Sequence, residues 1–245
     1  MKKIKNFIET FYFLYFVKTK NIFLFFWIIF KIKKKFNNLI NYSINKKVKL
    51  KIINFYDDIV FFNGNFFISH ALTIYNLINK LKKIDKQKYL EIGSFEGSSI
   101  IFFSRFLTNS NLTCVDIWNG VEELSNIDFK VVESNFDKNI SKIKFNKIIK
   151  IKSESSVFFK NNKEKFSIIY LDGNHFFQNV INDIEQSWRI LEVEGILILD
   201  DYMWTYYNEP KQNRAYAINI FLNKYYKSLK ILDMGQQVIV KKLYE

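Results

Sequence analysis

YLEIGSFEGSS, residues 89–99, reads as a strand, a glycine turn and the first turn of a helix. Tyr89, Leu90 and Ile92 are apolar strand residues. Gly93 lets the chain turn sharply, and Gly97 leaves room for a ligand against the backbone. Ser98 and Ser99 fall at a helix N-terminus, where free N–H groups favour an anion. A dinucleotide-binding turn would read G-x-G-x-x-G. Here the pattern is E-x-G-x-x-x-G, with Glu91 before the first glycine, Ser94 after it and no third glycine. An acid at that place repels a pyrophosphate and favours a cationic ligand.

The residues on either side of this turn alternate between helix and strand patterns. Residues 71–83 are amphipathic, 88–92 form the strand, and 98–107 are helical. Strand patterns follow at 111–117, 147–151, 166–171 and 196–199. Helical patterns cover 129–142, 177–191 and 211–226. Residues 229–232 and 238–241 flank MGQQ (234–237) as a hairpin. The expected fold is therefore α/β and Rossmann-like. Its sheet is mostly parallel, with an antiparallel C-terminal hairpin. Ligands in such sheets bind outside the carboxyl ends of the strands. Polar residues gather at five of those ends: 91–97, Asp116, 153–156, 172–175 and 200–202. Asp116, closing the second strand, is placed to accept hydrogen bonds from ribose hydroxyls.

Charge divides the chain of 245 residues unevenly. Residues 1–51 carry 13 Lys against the single acid Glu9, a balance of +12. The remainder carries 24 Lys plus Arg against 23 acids, a balance of +1. A nucleic-acid enzyme carries its basic residues along a groove in the body, so a nucleic-acid partner is not expected. Two domains follow: a basic, aromatic segment at 1–51, expected as a helical extension, and an α/β domain at 52–245. The apolar stretches 7–17 and 22–32 are broken by Lys18, Lys20 and Lys31, with Glu9 inside the first. Neither reaches the ~20 uncharged residues of a spanning helix. Aromatic residues beside lysines suit an anionic membrane surface; packing on the domain or on a second subunit is the alternative. A location in the cytoplasm, or on the inner face of the membrane, is expected. Cys114, the sole cysteine, excludes an intrachain disulfide and lies in an apolar run, so it reads as a small buried hydrophobe.

The turn at 89–99 resembles motif I of class I S-adenosylmethionine-dependent methyltransferases, and Asp116 resembles their ribose-binding acid. FSIIYLDGNHFFQNVINDIEQSWRILEVEGILILDDYMW (166–204) resembles a bacterial subgroup with D-G-x-H after strand four and D-D-Y after strand five. Glu194-Gly195 stands where that subgroup usually has Gly-Gly. The resemblance covers roughly residues 60–243 and implies S-adenosylmethionine as cofactor. It implies a cofactor site of Glu91, Gly93, Ser94, Gly97, Ser99, Asp116, Trp118, Glu154, Ser155 and Asp172. Within it, Ser99 would hold the methionine carboxylate, Glu154 and Ser155 would lie near the adenine, and Trp118 would cover its face. The spacing is also similar to metal-dependent O-methyltransferases, which implies Mg²⁺ on Asp172, Asp200 and Asp201. His175 would then take the proton of an acceptor hydroxyl, with Asp172 beside it. Asn174 cannot act as a base. Alternatives stay open: Asp172 as a helix cap, Asp201 as a structural acid, His175 as an exposed turn residue and His70 as a packing residue. Tyr202, Trp204, Tyr206 and Tyr207 suit the wall of an acceptor pocket or a cover for the sheet edge. A small-molecule or sugar-like acceptor is expected. A non-catalytic membrane module with the same fold is the competing expectation. A homodimer is left open.

Overall fold

The apolar runs form one sheet whose strands bury both faces. The structure, a computed structural model, describes residues 11, 14–15, 21–61, 67–79, 85–120 and 125–245. Most of the stretch 7–17, together with Glu9, Lys18 and Lys20, lies outside the described residues, as does the 80–83 end of the expected helix at 71–83. The strands are β1 (Lys88–Ile92), β2 (Asn111–Asp116), β3 (Lys147–Lys152), β4 (Phe166–Leu171), β5 (Leu191–Leu199), β6 (Leu229–Met234) and β7 (Val238–Lys242). Their order is β3-β2-β1-β4-β5-β7-β6. β1 to β5 pair in parallel, whereas β7 is antiparallel to β5 and to β6. Strand order reverses between β1 and β4, which opens a crevice at their carboxyl ends.

Eight α-helices are described: α1 (Asn21–Ile40), α2 (Tyr42–Asn54), α3 (Ile68–Ile78), α4 (Ser98–Phe106), α5 (Phe129–Ile140), α6 (Ser155–Asn161), α7 (Phe177–Ile190) and α8 (Arg214–Lys224). Successive strand side chains point to opposite faces. Leu90, Ile92, Ile169, Leu171, Leu197 and Leu199 meet α1, α6, α7 and α8. Tyr89, Ile168, Tyr170, Ile196 and Ile198 meet α2, α3, α4 and α5. The continuous apolar runs follow from this, since a strand covered on both faces has no polar side.

The α/β expectation holds, and the boundaries move for identifiable reasons. Helix α7 ends at Ile190 because Leu191 is extended and pairs with Phe166. The next ladder pair is Ile168 with Ile196, so residues 192–195 bulge out between them. Glu194 sits in that bulge at φ +69°. Gly195 is required beside it, because a Cβ there would meet the Glu192 carbonyl at 2.7 Å. Helix 211–226 is shortened by a 3₁₀ turn at Pro210–Gln212. Buried Asn213 follows, its side chain bonding the backbone of Tyr206, Tyr207 and Glu209. Helix α6 was not expected, because its serines read as a strand end.

Both cores run across the 51/52 boundary. Phe23 and Trp27 of α1 are buried with residues of α7 and α8. Val48 and Ile52 of α2, one on each side of the boundary, both pack in the core with α3 and α4.

Candidate active site

The turn after β1 and the end of β4 meet backbone to backbone, with the Asp172 N–H donating to the Ile92 carbonyl at 2.8 Å. Gly93 has φ +85°, and a Cβ on it would meet the Asp172 carbonyl oxygen at 2.2 Å. Only glycine lets the β1 turn approach the end of β4 this closely. Gly97 has φ +87° and begins α4 in the left-handed conformation. The space beside it is filled by the Phe136 ring, 3.2 Å from where a Cβ would lie. The room that the sequence reserved there for a ligand is thus used for packing on α5.

Asp116 organises the turn. Its Oδ2 accepts from the Ser94 and Phe95 backbone N–H groups at 2.8 and 3.0 Å. Its Oδ1 accepts from the Trp118 N–H at 2.8 Å. A carboxylate has about four acceptor sites, so capacity for a ribose hydroxyl remains on Oδ1.

Glu91 is fully buried beneath the turn. Its Oε2 accepts from the Tyr89 hydroxyl at 2.6 Å, while Oε1 has no hydrogen-bond partner. Burial raises its pKa to about 7, against the pull of Tyr89, Ser99 and Ser94. The two serine hydroxyls stand near enough to favour its charge without closing a bond on Oε1, and the buried Ser94 hydroxyl has no partner either. Orphaned buried polar atoms at a glycine turn fit a ligand that brings donors or positive charge.

Two of the expected cofactor contacts, Trp118 and Ser155, are engaged elsewhere. Trp118 is buried, its Nε1 donates to the Phe95 carbonyl, and its ring lies 4.7 Å from the Phe136 ring centre. The Lys150 ammonium sits 4.6 Å from the Trp118 ring centre. The indole is therefore packed between neighbours and is not an open platform for adenine. The Ser155 hydroxyl donates to Asp183 of α7 at 2.7 Å. Glu154 is exposed, where it precedes α6.

On the other side of the crevice, Asp172, His175 and Asp201 bring one ligand atom each to within 4.8 Å of one another. Asp201 reaches this position with φ +53°. His175 Nε2 lies 3.3 Å from Asp201 Oδ2, and its buried Nδ1 has no partner. Trp204 packs on the imidazole, with ring centres 4.4 Å apart. Asp200, expected among the metal ligands, is not part of this group. It is buried, accepts a short hydrogen bond from the Tyr170 hydroxyl, and accepts from the Asp201 N–H at 2.8 Å. His175 occupies the place in the cluster that Asp200 was expected to fill.

Burial raises the Asp172 carboxyl well above its ordinary range, and the charges of Asp200 and Asp201 raise it further. The Asp172 side chain is still 34% exposed, so like-charge crowding is the cause that survives hydration. Burial opposes charge on Asp201 as well. There the His175 hydrogen bond and the Arg214, His175 and His70 charges win, and hold the pKa below its ordinary range.

Of two further residues here, Arg214 escaped the sequence reading and His70 was read as a packing residue. Arg214, 3% exposed, donates to the Leu171 carbonyl at 2.7 Å and lies 3.6 Å from Asp172 Oδ1. It is the buried cation among these acids. His70 acts on Asp201 from α3 and so belongs to the cluster's surroundings. Neither carries a local motif. Of the aromatic wall, Trp204 and Tyr206 stack with rings 9° apart. Tyr202 instead turns into the core, where its hydroxyl donates to Asn219 at 3.0 Å.

Known proteins resemble this chain in sequence and in fold. Residues 90–202 match the family model described as a methyltransferase domain. An uncharacterized protein, R132, of Acanthamoeba polyphaga mimivirus is 27% identical over 160 residues, covering 63% of this chain and 70% of its own. The fold resembles the O-methyltransferase NovP, with TM-score 0.52, 14% identity and coverage of 72% of this chain and 81% of that one. It also resembles the O-methyltransferase TomG of Streptomyces achromogenes, solved with S-adenosylmethionine, with TM-score 0.52, 10% identity and coverage of 80% and 89%. A putative rRNA methylase of Clostridium thermocellum gives TM-score 0.53, 11% identity and coverage of 70% and 96%. At these identities the three solved structures speak for the fold.

Proposed function

We propose that this chain is a class I S-adenosylmethionine-dependent methyltransferase that methylates a hydroxyl oxygen of a small or sugar-like acceptor, with His175 as the base. The observation that carries this is a juxtaposition. The Gly93 turn touches the backbone of Asp172, so the cofactor cradle and the Asp172–His175–Asp201 cluster share one crevice.

Glu91, Ser94, Ser99 and Asp116 would hold the cofactor. When bound, it supplies an electrophilic methyl group on a positively charged sulfur. A positive charge there would in turn favour the ionised forms of Glu91 and Asp172, whose pKa values are raised without it. Asp201 lies on the Nε2 side of His175, and the buried Nδ1 is without a partner. Nδ1 would accept the acceptor's hydroxyl proton, while bound S-adenosylmethionine would supply the methyl group. Trp204 and Tyr206 offer flat apolar walls to a ring.

A second reading has support of its own. Two carboxylates and an imidazole within 4.8 Å suit a divalent cation, Mg²⁺ or a transition metal. Such an ion would lower the pKa of the acceptor hydroxyl, and His175 would then be a ligand and no longer the base.

The test is calorimetric titration of S-adenosylmethionine into the full chain, followed by turnover on catechol and monosaccharide acceptors with EDTA or with Mg²⁺. Micromolar binding that Asp116→Ala weakens at least about tenfold, a loss of ~1.4 kcal/mol, is expected. His175→Ala keeps that binding and loses turnover. Turnover that survives EDTA favours the base, and turnover restored by Mg²⁺ favours the ion. A folded chain that binds no S-adenosylmethionine overturns the proposal.

A further inference from the structure

Helix α1 lies along the β6 edge of the sheet. Its first half is anchored: Phe23 and Trp27 are buried, and Phe23 meets Tyr226, just before β6 begins. Its second half is not. All ten residues from 31 to 40 are exposed, on every side of the helix. Phe36, Leu39 and Ile40 are 61%, 69% and 77% exposed. Tyr42, Ile44 and Leu50 of α2 continue the apolar surface. A helix without a packed face is marginal in water, so this segment calls for a covering partner.

Charge selects the partner. Residues 21–54 contain eight lysines and no acid. A second copy would set like charge against like, which disfavours self-association. A nucleic acid would engage the lysines and leave the apolar side chains bare. An anionic lipid surface engages both, with ammonium groups at the phosphates and apolar groups among the acyl chains. No described helix is long and apolar enough to cross a membrane, so contact with the surface is the geometry left.

Direction follows from the strand register. Leu199, at the carboxyl end of β5, pairs with Val238, and Val238 pairs with Met234 at the end of β6. Lys33 and Lys34 act on Asp233, next to Met234. The free end of α1 therefore emerges at the same end of the sheet as Asp172 and Asp201. β6 is three strands from β4, roughly 14 Å at ~4.8 Å per strand.

We propose that residues 31–50 dock on an anionic lipid surface, with the crevice at the carboxyl ends of the strands turned toward it. Docking itself is independent of methyl transfer. What the orientation adds, a lipid-borne or surface-bound acceptor, rests on the reading given above.

The test is co-sedimentation of the full chain with phosphatidylcholine vesicles, with and without 30 mol% phosphatidylglycerol (about a third of the lipid, to give a strongly negative surface). Binding is expected only with the anionic lipid and weakens as salt rises. The triple variant Lys33→Gln, Lys34→Gln, Lys35→Gln should bind about a hundredfold more weakly, at ~1 kcal/mol per lysine. The triple variant Phe36→Ser, Leu39→Ser, Ile40→Ser should also lose binding. These six side chains are all exposed, so neither variant should unfold, and an unchanged thermal melt checks that. Equal pelleting with neutral vesicles, or no pelleting at all, overturns the proposal. So does a dimer in sedimentation velocity that the serine variant dissolves. S-adenosylmethionine titration of the same samples reports on methyl transfer separately, so the two failures are distinguishable.

Discussion

Glu91 carries a stability cost that a titration can read. Its carboxyl pKa is about 7 in the folded chain, against an ordinary 4.5. The folded state therefore holds a proton that the unfolded state has lost, and stability falls as pH rises from about 4.5 to about 7. The shift corresponds to roughly 3 kcal/mol. Glu91→Gln removes this slope, so urea melts of the variant should gain stability over wild type between pH 5 and 8. Asp183, raised to about 6, adds a slope of the same sign to both proteins, so the difference between them isolates Glu91. A wild-type curve parallel to the variant's would refute the assignment. Gly93→Ala should destabilise by more than ~2 kcal/mol in a thermal melt, because the left-handed conformation and the Asp172 carbonyl both oppose a Cβ. At this scale the sequence was legible where a residue type answers a backbone demand. Gly93 is such a case, and Asp116 nearly so. It was less legible for adjacent acids. Asp200 and Asp201 look equivalent in the sequence, but one turns to Tyr170 and the other to His175.

Helix α5 shows what an element adds. Asn135 and Asn139 are four residues apart on one buried face. Asn135 donates to Glu96 at 2.8 Å. Asn139 donates to the Val60 and Glu96 carbonyls and accepts from the Val60 N–H. One side chain thus pins the chain entering the domain to the motif-bearing turn. Asn139→Ala removes three hydrogen bonds to backbone groups and should cost ~2–4 kcal/mol, at about 1 kcal/mol or more for each. Thermal melts beside an exposed control, Ser141→Ala, check this; a cost below ~1 kcal/mol would show that water replaces the bonds. The alternation of strands and helices was readable because both-face burial leaves continuous apolar runs. Arg214 was not readable, because it meets Leu171 across 43 residues of sequence and nothing local marks the pairing.

The whole molecule does not divide where its charge divides. Composition separates residues 1–51 from the rest, yet Phe23 and Trp27 sit in the same core as Trp188 and Phe221. A chain beginning at residue 52 should lose several kcal/mol, at ~3–5 for each buried aromatic at the upper limit. Its melting temperature should fall by more than about 10 °C, or it should precipitate. An equally stable, monodisperse fragment would show the packing to be dispensable. The contact between α1 and β6 has one more consequence, for biosynthesis. It joins the start of the chain to a strand made about 200 residues later, or ~10–40 s at ordinary ribosome speeds. Closing so long a loop adds little to the equilibrium cost, but it must come late. Until then Phe23 and Trp27 wait uncovered on a nascent chain, beside their lysines, and a chaperone or a nearby bilayer has the first opportunity to meet them.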